Sequence, residues 1–501
     1  MNILEKILEK LNMGKGDGKR KKQSKRAMSF DLLYQLSYMS VIAAGGVPRS
    51  KVFERAAQLP CSSAEYFRKI ELTCRRLKYD YARACRVIGE SAEEEEIKGL
   101  LLRFSGSLIS GEPEAEFLAR EAEAQTENYY NEYGRNLESL KMLTDAYVSL
   151  ILSAVLVIII GIVSTMIWTI SAGVIIGMAF LSILTTALGV WLIYLVAPKE
   201  ISVLSWAGSK EQKLAKKLFK YFIPAAGVIS MLVLVSGNGL GIALLVIAAL
   251  VFPIGFIVNR DDGNISKRDA EVGVFLRALG GACAALGTTA NAALARLDID
   301  SINVLRVTVK RLNTRITAGI RTRVCWKKFI DETGSELANR SVGMFYDTIE
   351  LGGSAGEAGY QASLFASKIA LLRARRRTVS GPFRWLCITM HGSIIALLVF
   401  ITEIVMSFAG MVAQAEETLP KVSGAASMAS FTSFNLTGLD LMHQLILPLV
   451  VIFTVTNAIA PGIAEGGSWY KFFSNLSITA AISGGALVFL PSLTSSLFSS
   501  V

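Results

Sequence analysis

Histidine is nearly absent from this sequence of 501 residues, which contains only His391 and His443. A metal site usually needs three or four protein ligands. Cys387 lies four residues before His391 and Asp440 lies three residues before His443, but nothing nearby supplies the remaining ligands. We therefore expect both histidines to be satisfied by helix contacts rather than to bind a metal ion or relay protons.

The sequence also lacks the motifs that hold a nucleotide. It contains no GxxxxGK[ST] motif and no strand followed by a GxGxxG turn. The glycine-rich stretch "LGGSAGEAG" places Gly353, Gly356 and Gly359 at helical spacing, which favours close helix packing over a phosphate loop. No cofactor is expected, and the chain is not expected to be an enzyme.

Charge is missing from long parts of the chain. Hydrophobic residues make up 52% of the sequence, and no charged residue occurs for more than fifty positions after Asp145. A helix that crosses a bilayer needs roughly 20 mainly apolar residues. Seven runs qualify, although the third and the seventh are short: about 147–168, 173–196, 221–235, 239–258, 386–408, 445–463 and 476–490. The prediction is an all-α polytopic membrane protein.

Lysine and arginine are distributed unevenly between the polar segments. The N-terminal region and the segments 198–220 and 259–384 are basic, whereas Lys421 is the only basic residue of 410–442. The positive-inside rule therefore predicts that the N-terminus and both long polar segments are cytoplasmic and that the C-terminus is external. This bias and contact with anionic lipids explain the net charge of +11. Nucleic-acid binding is not indicated, because no basic patch is combined with aromatic residues that could contact bases.

The two long polar segments are typical of helical bundles, because their apolar residues recur every three or four positions. The predicted order is a basic cytoplasmic tail (1–29), a first helical domain (30–146), four spans (147–258), a second helical domain (259–385), three spans with an external loop at 410–442 (386–491), and an external tail (492–501). Within the tail, "MNILEKILEKLNM" indicates an amphipathic helix rather than a signal peptide. This tail is either solvated or anchored by anionic lipid.

The first domain is predicted to share a helix with the first span. "SGEPEAEFLAREAEAQ" is a strong helix start, because Pro113 lies in the first turn and three glutamates face the positive end of the helix dipole. The helix can then continue through Asp145 into the membrane, with a break near Gly134 as the alternative. In the second domain, the residues 380–382 ("SGP") predict a break before the fifth span.

The two polar segments share landmarks that indicate an internal duplication. Gly45 and Gly280 each belong to a glycine pair within a helical pattern and are 235 positions apart. Phe104 and Phe345 begin similar stretches and are 241 positions apart. Both copies are predicted to enter the membrane from the cytoplasm, so the repeat is parallel, unlike the inverted repeats of many transporters.

The cysteines are predicted to serve packing. No CxxC pair suggests zinc, and none of the six lies in the predicted external loop, so reduced thiols are expected. They are Cys61, Cys74, Cys85, Cys283, Cys325 and Cys387.

This layout resembles the inner-membrane platform proteins of type IV pilus-like machines, the type II secretion F-domain family, and within it the archaeal members that serve archaellum and pilus assembly. The stretches that carry the resemblance are "IAAGGVPRSKVFERA" and "SGEPEAEFLAREAE" in the first copy, "TIELGGSAGEAG" with the following arginine cluster in the second, and "NAIAPGIAEGGSWYKFFSNLSITAAISG" near the end. The similarity covers nearly the whole chain from about Phe30. One departure is that Pro48 follows the first glycine pair, whereas no proline follows Gly280 and Gly281.

The resemblance implies a non-enzymatic scaffold at the base of a filament. Such proteins bind a hexameric assembly ATPase in the cytoplasm, help to extract pilin-like subunits from the membrane, and are thought to act as dimers. The sequence does not distinguish between an archaellum, an adhesive pilus and a secretion pseudopilus.

Two basic sets are the candidates for contact with the ATPase. They are the run Arg321, Arg323, Lys327 and Lys328, and the cluster Arg373, Arg375, Arg376 and Arg377. The cluster can instead contact lipid headgroups. The acidic run Glu90–Glu96 is a third charged surface, or a solvated helix start.

Glu403 is an acid within the predicted fifth span, where a carboxylate is costly and by default suggests a function. A proton-handling or subunit-handling role is one interpretation; protonation, a hydrogen bond or interfacial water is the other. The competing class for the whole protein is a transporter or channel, which predicts polar residues that face one another across several spans. The spans show almost none, and no module typical of a receptor is visible.

Overall fold

The computed structural model describes residues 24–167, 170–204, 208–298, 302–418 and 436–499. Within these ranges the chain is helical and forms no β-strand. The helices are α1 (Ser24–Ala44), α2 (Arg49–Ala56), α3 (Ala64–Leu77), α4 (Tyr81–Glu90), α5 (Glu95–Ser110), α6 (Glu114–Ile167), α7 (Ala172–Val196), α8 (Lys210–Val235), α9 (Gly239–Leu286), α10 (Ala290–Arg296), α11 (Arg306–Thr317), α12 (Thr322–Thr333), α13 (Glu336–Glu350), α14 (Ala355–Thr418), α15 (Leu436–Glu465) and α16 (Lys471–Ser499).

Seven of the described helices are long and apolar enough to cross a membrane, namely α6, α7, α8, α9, α14, α15 and α16. They coincide with the seven runs found in the sequence. The predicted all-α polytopic architecture is therefore confirmed.

Helices α1–α6 and α9–α14 follow the same plan, with a long first helix, four shorter ones and a long sixth helix that enters the membrane. We call α1–α5 with the polar part of α6 the first module, and the polar part of α9 with α10–α13 and the polar part of α14 the second module. A glycine with a left-handed backbone follows the first helix (Gly46, φ +80°; Gly287, φ +59°), and another precedes the sixth (Gly111, φ +77°; Gly352, φ +85°). The members of both pairs are 241 positions apart.

This constant offset corrects the glycine alignment made from the sequence. Gly45 follows the end of α1, whereas Gly280 lies inside α9, so the two do not occupy equivalent positions. Gly280 has a different purpose: a Cβ there would lie 2.8 Å from the Cα of Gly359 on α14. The pairing of Phe104 with Phe345, at 241 positions, agrees with the helix order.

Helix α6 runs without a break from Glu114 to Ile167, so the alternative of a break at Gly134 is wrong. Its 54 residues span roughly 80 Å at 1.5 Å per residue. The predicted continuity of this helix from the first polar segment into the first apolar run is confirmed.

Helix α14 is also continuous, which corrects the break predicted at 380–382. Pro382 lies inside this helix of 64 residues. A proline removes one helical hydrogen bond, but side-chain hydrogen bonds hold the helix just before it. Arg376 donates to carbonyls of other segments, and the Ser380 hydroxyl donates to the carbonyl of Arg376 at 2.9 Å.

The predicted domain limits after residues 146, 258 and 385 fall within continuous helices, because α6, α9 and α14 all pass from a module into a span. Helix α1 begins at Ser24, within the predicted tail. Residues 1–23, with the predicted amphipathic helix, and 419–435, which form most of the predicted external loop, lie outside the described residues. Helix α16 continues to Ser499 through most of the predicted external tail.

Helix α1 lies between the two modules. Every side chain from Met28 to Ile42 is buried, because the helix packs on α6 of its own module and on α13 and α14 of the second. The ring of Phe30 lies 5.5 Å from that of Tyr129 on α6, and the ring of Tyr34 lies 6.1 Å from that of Phe365 on α14. The two modules therefore share one hydrophobic core.

In the membrane bundle, α9 is central and packs on α8, α14 and α16. Small residues permit the close contact between α9 and α16, since a Cβ at Gly255 would lie 2.5 Å from the Cα of Ser474. Helix α7 packs on α6 and α15.

Candidate functional site at the membrane boundary

The predicted arginine cluster lies where α14 passes from the second module into the membrane. Arg373 donates from Nη1 to Asp269 Oδ2 at 2.7 Å, and its Nε lies 3.4 Å from Glu200 Oε2. Arg377 donates to Asp262 Oδ2 at 2.9 Å. These two side chains therefore link α14 to α9 and to the segment that follows α7.

Arg376 is the most buried of the cluster. Its guanidinium donates to the carbonyls of Ala464 at 2.9 Å, Ile463 at 2.9 Å and Pro198 at 2.7 Å. The last carbonyls of a helix have no partner within it, and the fork of donors on an arginine can satisfy several of them at once. The close approach requires glycine at Gly466, where φ is +67° and a Cβ would lie 2.5 Å from Arg376 Cζ.

A chain of charges extends from these arginines to the last two helices. Lys471, at the start of α16, places its Nζ 2.8 Å from Asp262 Oδ2 and 3.6 Å from Glu465. Arg384 lies 3.7 Å from the same glutamate. We call this network the boundary joint; its members are Glu200, Asp262, Asp269, Arg373, Arg376, Arg377, Arg384, Glu465 and Lys471.

Two further acids connect the boundary joint to neighbouring helices. Asp269 accepts a hydrogen bond from Ser335, whose hydroxyl caps α13. Asp261 accepts one from Ser209, the N-cap residue of α8, at 2.7 Å. Burial raises the pKa of both aspartates, although hydrogen bonds to Asp261 and the charge of Arg373 beside Asp269 oppose the shift. The carboxylates therefore depend on these partners to stay ionised.

Three of the four arginines in the predicted cluster are thus engaged inside the molecule. The exception is Arg375, which is exposed and lies 4.8 Å from the ring of Tyr130. The reason is helical spacing, since Arg373, Arg376 and Arg377 lie on the face of α14 that meets other segments. Contact of this cluster with an ATPase therefore stays a prediction, and Arg375 is its one exposed member.

The other predicted basic set does form a surface. Arg321, Arg323, Lys327 and Lys328 are all exposed at the start of and along α12, and the exposed side chain of Val324 lies among them. We call these four cations the basic face. The opposite side of α12 packs into the second module.

The predicted acidic run connects α4 to α5 in the first module. Glu95 and Glu96 are exposed in the first turn of α5, and Tyr66 donates to Glu94. Acidic residues at a helix start are favoured by the helix dipole, so this geometry agrees with the helix-start interpretation.

Glu403 lies in the membrane-spanning part of α14 and is half-buried. No cation of the described residues forms an ion pair with it. Its role stays a prediction.

A cluster of polar side chains within the membrane bundle was missed by the sequence analysis. His391 Nε2 lies 2.9 Å from the hydroxyl of Ser483, and its Nδ1 lies 3.1 Å from the side-chain nitrogen of Asn457. The oxygen of the same amide accepts a hydrogen bond from Tyr147 at 3.1 Å, and Thr454 lies 2.7 Å from Ser483. We call these five residues, which join α6, α14, α15 and α16, the intramembrane polar cluster.

This cluster confirms that His391 is satisfied by helix contacts, but its partners lie on other helices rather than at Cys387. The expectation of almost no facing polar residues was wrong, because Ser, Thr, Asn and Tyr are individually tolerated in spans and only packing brings them together. The available signal was the presence of His391 and Asn457 in separate apolar runs. The side chain of His443 lies outside the described residues, and among those described no group of three or more His, Cys, Asp or Glu could hold a metal ion.

Two proteins named "Flagella accessory protein J" are similar to this chain. The protein of Methanococcus voltae is 26% identical over 330 residues, which cover 62% of this chain and 58% of that protein. The protein of Methanocaldococcus jannaschii is 24% identical over 416 residues, which cover 80% of this chain and 72% of that protein.

No family model and no solved structure matches the chain. The matched region covers 58% of the Methanococcus voltae protein, which is less than two thirds of its length, and 72% of the Methanocaldococcus jannaschii protein. These relatives confirm the resemblance to archaeal proteins that the sequence motifs indicated. The chain is a multi-pass membrane protein that is similar, over most of its length, to archaeal flagella accessory proteins.

Proposed function

We propose that the protein is the membrane platform of an archaeal filament assembly machine, of archaellum or type IV pilus type. It acts as a scaffold rather than an enzyme, binds a hexameric assembly ATPase in the cytoplasm, helps to extract pilin-like subunits, and works as a homodimer. The observation that supports this most is the continuity of α6 and α14, which run without a break from a soluble module into an apolar span.

Continuous helices transmit load because an α-helix resists bending and stretching along its hydrogen-bonded axis. The boundary joint adds to this stiffness, since Arg373 and Arg376 fix α14 against three neighbouring segments where it enters the membrane. A push by the ATPase on the second module would therefore tilt or rotate membrane helices rather than bend a linker.

The basic face is the proposed contact for the ATPase. Its four cations, Arg321, Arg323, Lys327 and Lys328, form no ion pair within the described residues and surround an exposed valine. An acidic surface with apolar side chains is the chemistry that fits this face, and such contacts weaken with salt. In the first module the equivalent helix α4 is less basic, and its Arg86 is already paired with Glu90.

The test is to reverse these four charges to glutamate in the full chain, purify the variant in membrane nanodiscs, and measure binding of the assembly ATPase at several salt concentrations. We expect at least a tenfold loss of affinity and a weaker dependence on salt. The matched control reverses four exposed cations of the first module, Arg68, Arg76, Arg83 and Arg86. Unchanged affinity in the first variant, or an equal loss in the control, would overturn the assignment.

The intramembrane polar cluster is the one observation that favours the second candidate, a transporter or channel. His391 is completely buried, however, and its hydrogen bonds are made to protein groups on the surrounding helices. Ion flux through protein reconstituted in vesicles separates the two functions, since a platform gives no flux and a transporter gives flux that His391→Leu abolishes.

A further inference from the structure

Helix α8 is the least enclosed of the span-capable helices. Only 11% of its most apolar segment is buried within the protein, against 28–50% for the other six. It packs along α9, and the ring of Phe219 in its first half lies 5.3 Å from that of Tyr470, the residue before α16. Most of its surface is therefore left for lipid.

The first half of α8 carries a stripe of lysines. Lys213, Lys216, Lys217 and Lys220 follow the i, i+3, i+4, i+7 pattern and so lie on one helical face. All four are exposed, and none forms an ion pair with an acid of the described residues. The opposite face, which includes Ala215, is buried against α9 and α16. We call these four residues the lysine stripe.

The length of the apolar half brings the lysine stripe to the headgroup region. About 15 residues, from Tyr221 to Val235, follow the last lysine. At 1.5 Å per residue they span roughly 22 Å, which is less than the roughly 30 Å of a hydrocarbon core. The bilayer therefore draws the lysines toward its surface, where their ammonium groups reach the phosphates.

Exposed aromatic side chains lie near the lysine stripe, at the same predicted depth in the membrane. Tyr221 is 61% exposed and Trp469, just before α16, is 71% exposed. Trp469 lies beside α8, since its ring is 5.7 Å from Phe473, which in turn is 5.4 Å from Phe219. Exposed Trp and Tyr are typical of the interface between lipid and water.

The N-terminus of α8 is connected directly to the second module. Ser209 and Gln212 form a capping box, the Ser209 hydroxyl donates to Asp261, and the Gln212 amide donates to the carbonyl of Gly334 at 3.2 Å. A ligand that fixes α8 at the membrane surface therefore also fixes the end of α12, which precedes Gly334.

We propose that the lysine stripe is a binding surface for the phosphate headgroups of anionic membrane lipids, and that bound lipid holds α8 in register with the second module. This site differs from the N-terminal tail and from the arginine cluster, for which lipid contact was expected from the sequence. It does not depend on the proposed platform function.

The experiment uses the full chain in detergent, to which phosphatidylglycerol or phosphatidylcholine is added, and native mass spectrometry to count retained lipids. The wild-type protein should retain phosphatidylglycerol over phosphatidylcholine. Changing Lys213, Lys216, Lys217 and Lys220 to glutamine should reduce this retention at least tenfold, whereas changing all four to arginine should preserve it. Changing the four cations of the basic face to glutamine, which removes the same charge, should have no effect.

Melting temperature without added lipid shows whether the glutamine variant is folded. A folded glutamine variant that retains phosphatidylglycerol as well as wild type would overturn the proposal. So would equal retention of the two lipids by the wild-type protein. A glutamine variant that instead loses only the assembly ATPase would assign the lysine stripe to a protein partner, which also contradicts the proposal.

Discussion

The two modules share a helix plan but are attached to the membrane differently. In the second module both the first and the sixth helix, α9 and α14, continue into spans, and the boundary joint connects them. Among the described residues of the first module, only α6 continues into a span. Its first helix, α1, packs against α13 and α14 of the second module instead.

This difference shows that modules with the same helix order can be attached to the membrane in two different ways. The second module is fixed by two membrane helices and by buried ion pairs, whereas the first is fixed by one membrane helix and by docking on its neighbour. Contacts between the modules are partly polar, as in the hydrogen bond from Tyr38 to Asp347 and the ion pair of Arg55 with Glu350. A change in the second module should therefore affect the whole protein, and a change in the first should remain more local.

The largest effect is expected when the buried ion pairs of the boundary joint are broken. Arg373→Met leaves Asp269 and Glu200 buried without their cation, so we expect a loss of about 3–5 kcal/mol in the free energy of unfolding. The counterpart in the first module is Arg49→Met, which breaks an ion pair with Glu114 in which the arginine is 45% exposed. There we expect about 1 kcal/mol or less.

Chemical denaturation in detergent measures both effects. The double variant Arg373→Met with Asp269→Asn should recover part of the loss, because it removes one of the two uncompensated acids. Equal losses in the free energy of unfolding for Arg373→Met and Arg49→Met would contradict the idea that the two modules are attached differently.

The next test concerns the contact between α9 and α14. A Cβ at Gly359 would lie 2.6 Å from the carbonyl oxygen of Leu276, so Gly359→Ala must push the helices apart, at a cost of about 3 kcal/mol. The equivalent residue of the first module, 241 positions earlier, is the buried Leu118, so this close contact belongs to the second module alone.

Gly281→Ala is the matched control, because nothing lies within 4 Å of a Cβ at that position of α9. The control should leave stability unchanged or raise it slightly, since alanine favours a helix over glycine. Thermal unfolding that is identical for the two variants would show that the helices do not approach as closely as described.

A smaller effect is expected at the contact between the modules. Tyr38→Phe removes the hydroxyl that donates to Asp347 Oδ2 at 2.8 Å, which should cost about 1.5 kcal/mol. The exposed Tyr360→Phe is the control, because it keeps the ring that lies near Arg277. Limited proteolysis should also detect looser docking of the first module in Tyr38→Phe, and no increase in cleavage would argue against a role in docking.

The smallest expected effect is a dependence of stability on pH. Burial raises the pKa of Asp347, although Tyr38 and Arg55 oppose the shift. The folded protein therefore binds this proton more tightly than the unfolded chain. The resulting stabilisation is complete below the unfolded pKa, about 3.9, and is lost as pH rises through the folded pKa.

Asp347→Asn should remove this dependence. Relative to the variant, wild type should lose stability as the pH rises from the unfolded to the folded pKa of Asp347, by less than about 1.4 kcal/mol per pH unit. Unfolding measured across the pH range checks this, with Glu123→Gln, an exposed acid on α6, as the control. Parallel curves for wild type and Asp347→Asn would contradict the prediction.

The features that follow local rules were predictable. The seven spans were found from uncharged length, and the shared helix α6 from a proline at its start and the absence of a later breaker. The same local logic failed at Pro382, because it could not include the contacts of Arg376 with carbonyls of other segments, which hold the helix before the proline. It also could not tell which of Arg373, Arg375, Arg376 and Arg377 meet other segments, because their side chains leave α14 in different directions.

The sequence by itself determined which segments are helical, which of them enter the membrane and that two polar segments are alike, because these properties depend on composition and on the spacing of residues close together in the chain. The tertiary structure alone decided that α1 lies between the modules, that Gly280 meets Gly359, and that His391 joins Asn457 and Ser483. Each of these contacts brings together groups far apart in the chain. Their geometry depends on how whole helices pack, which no local pattern encodes.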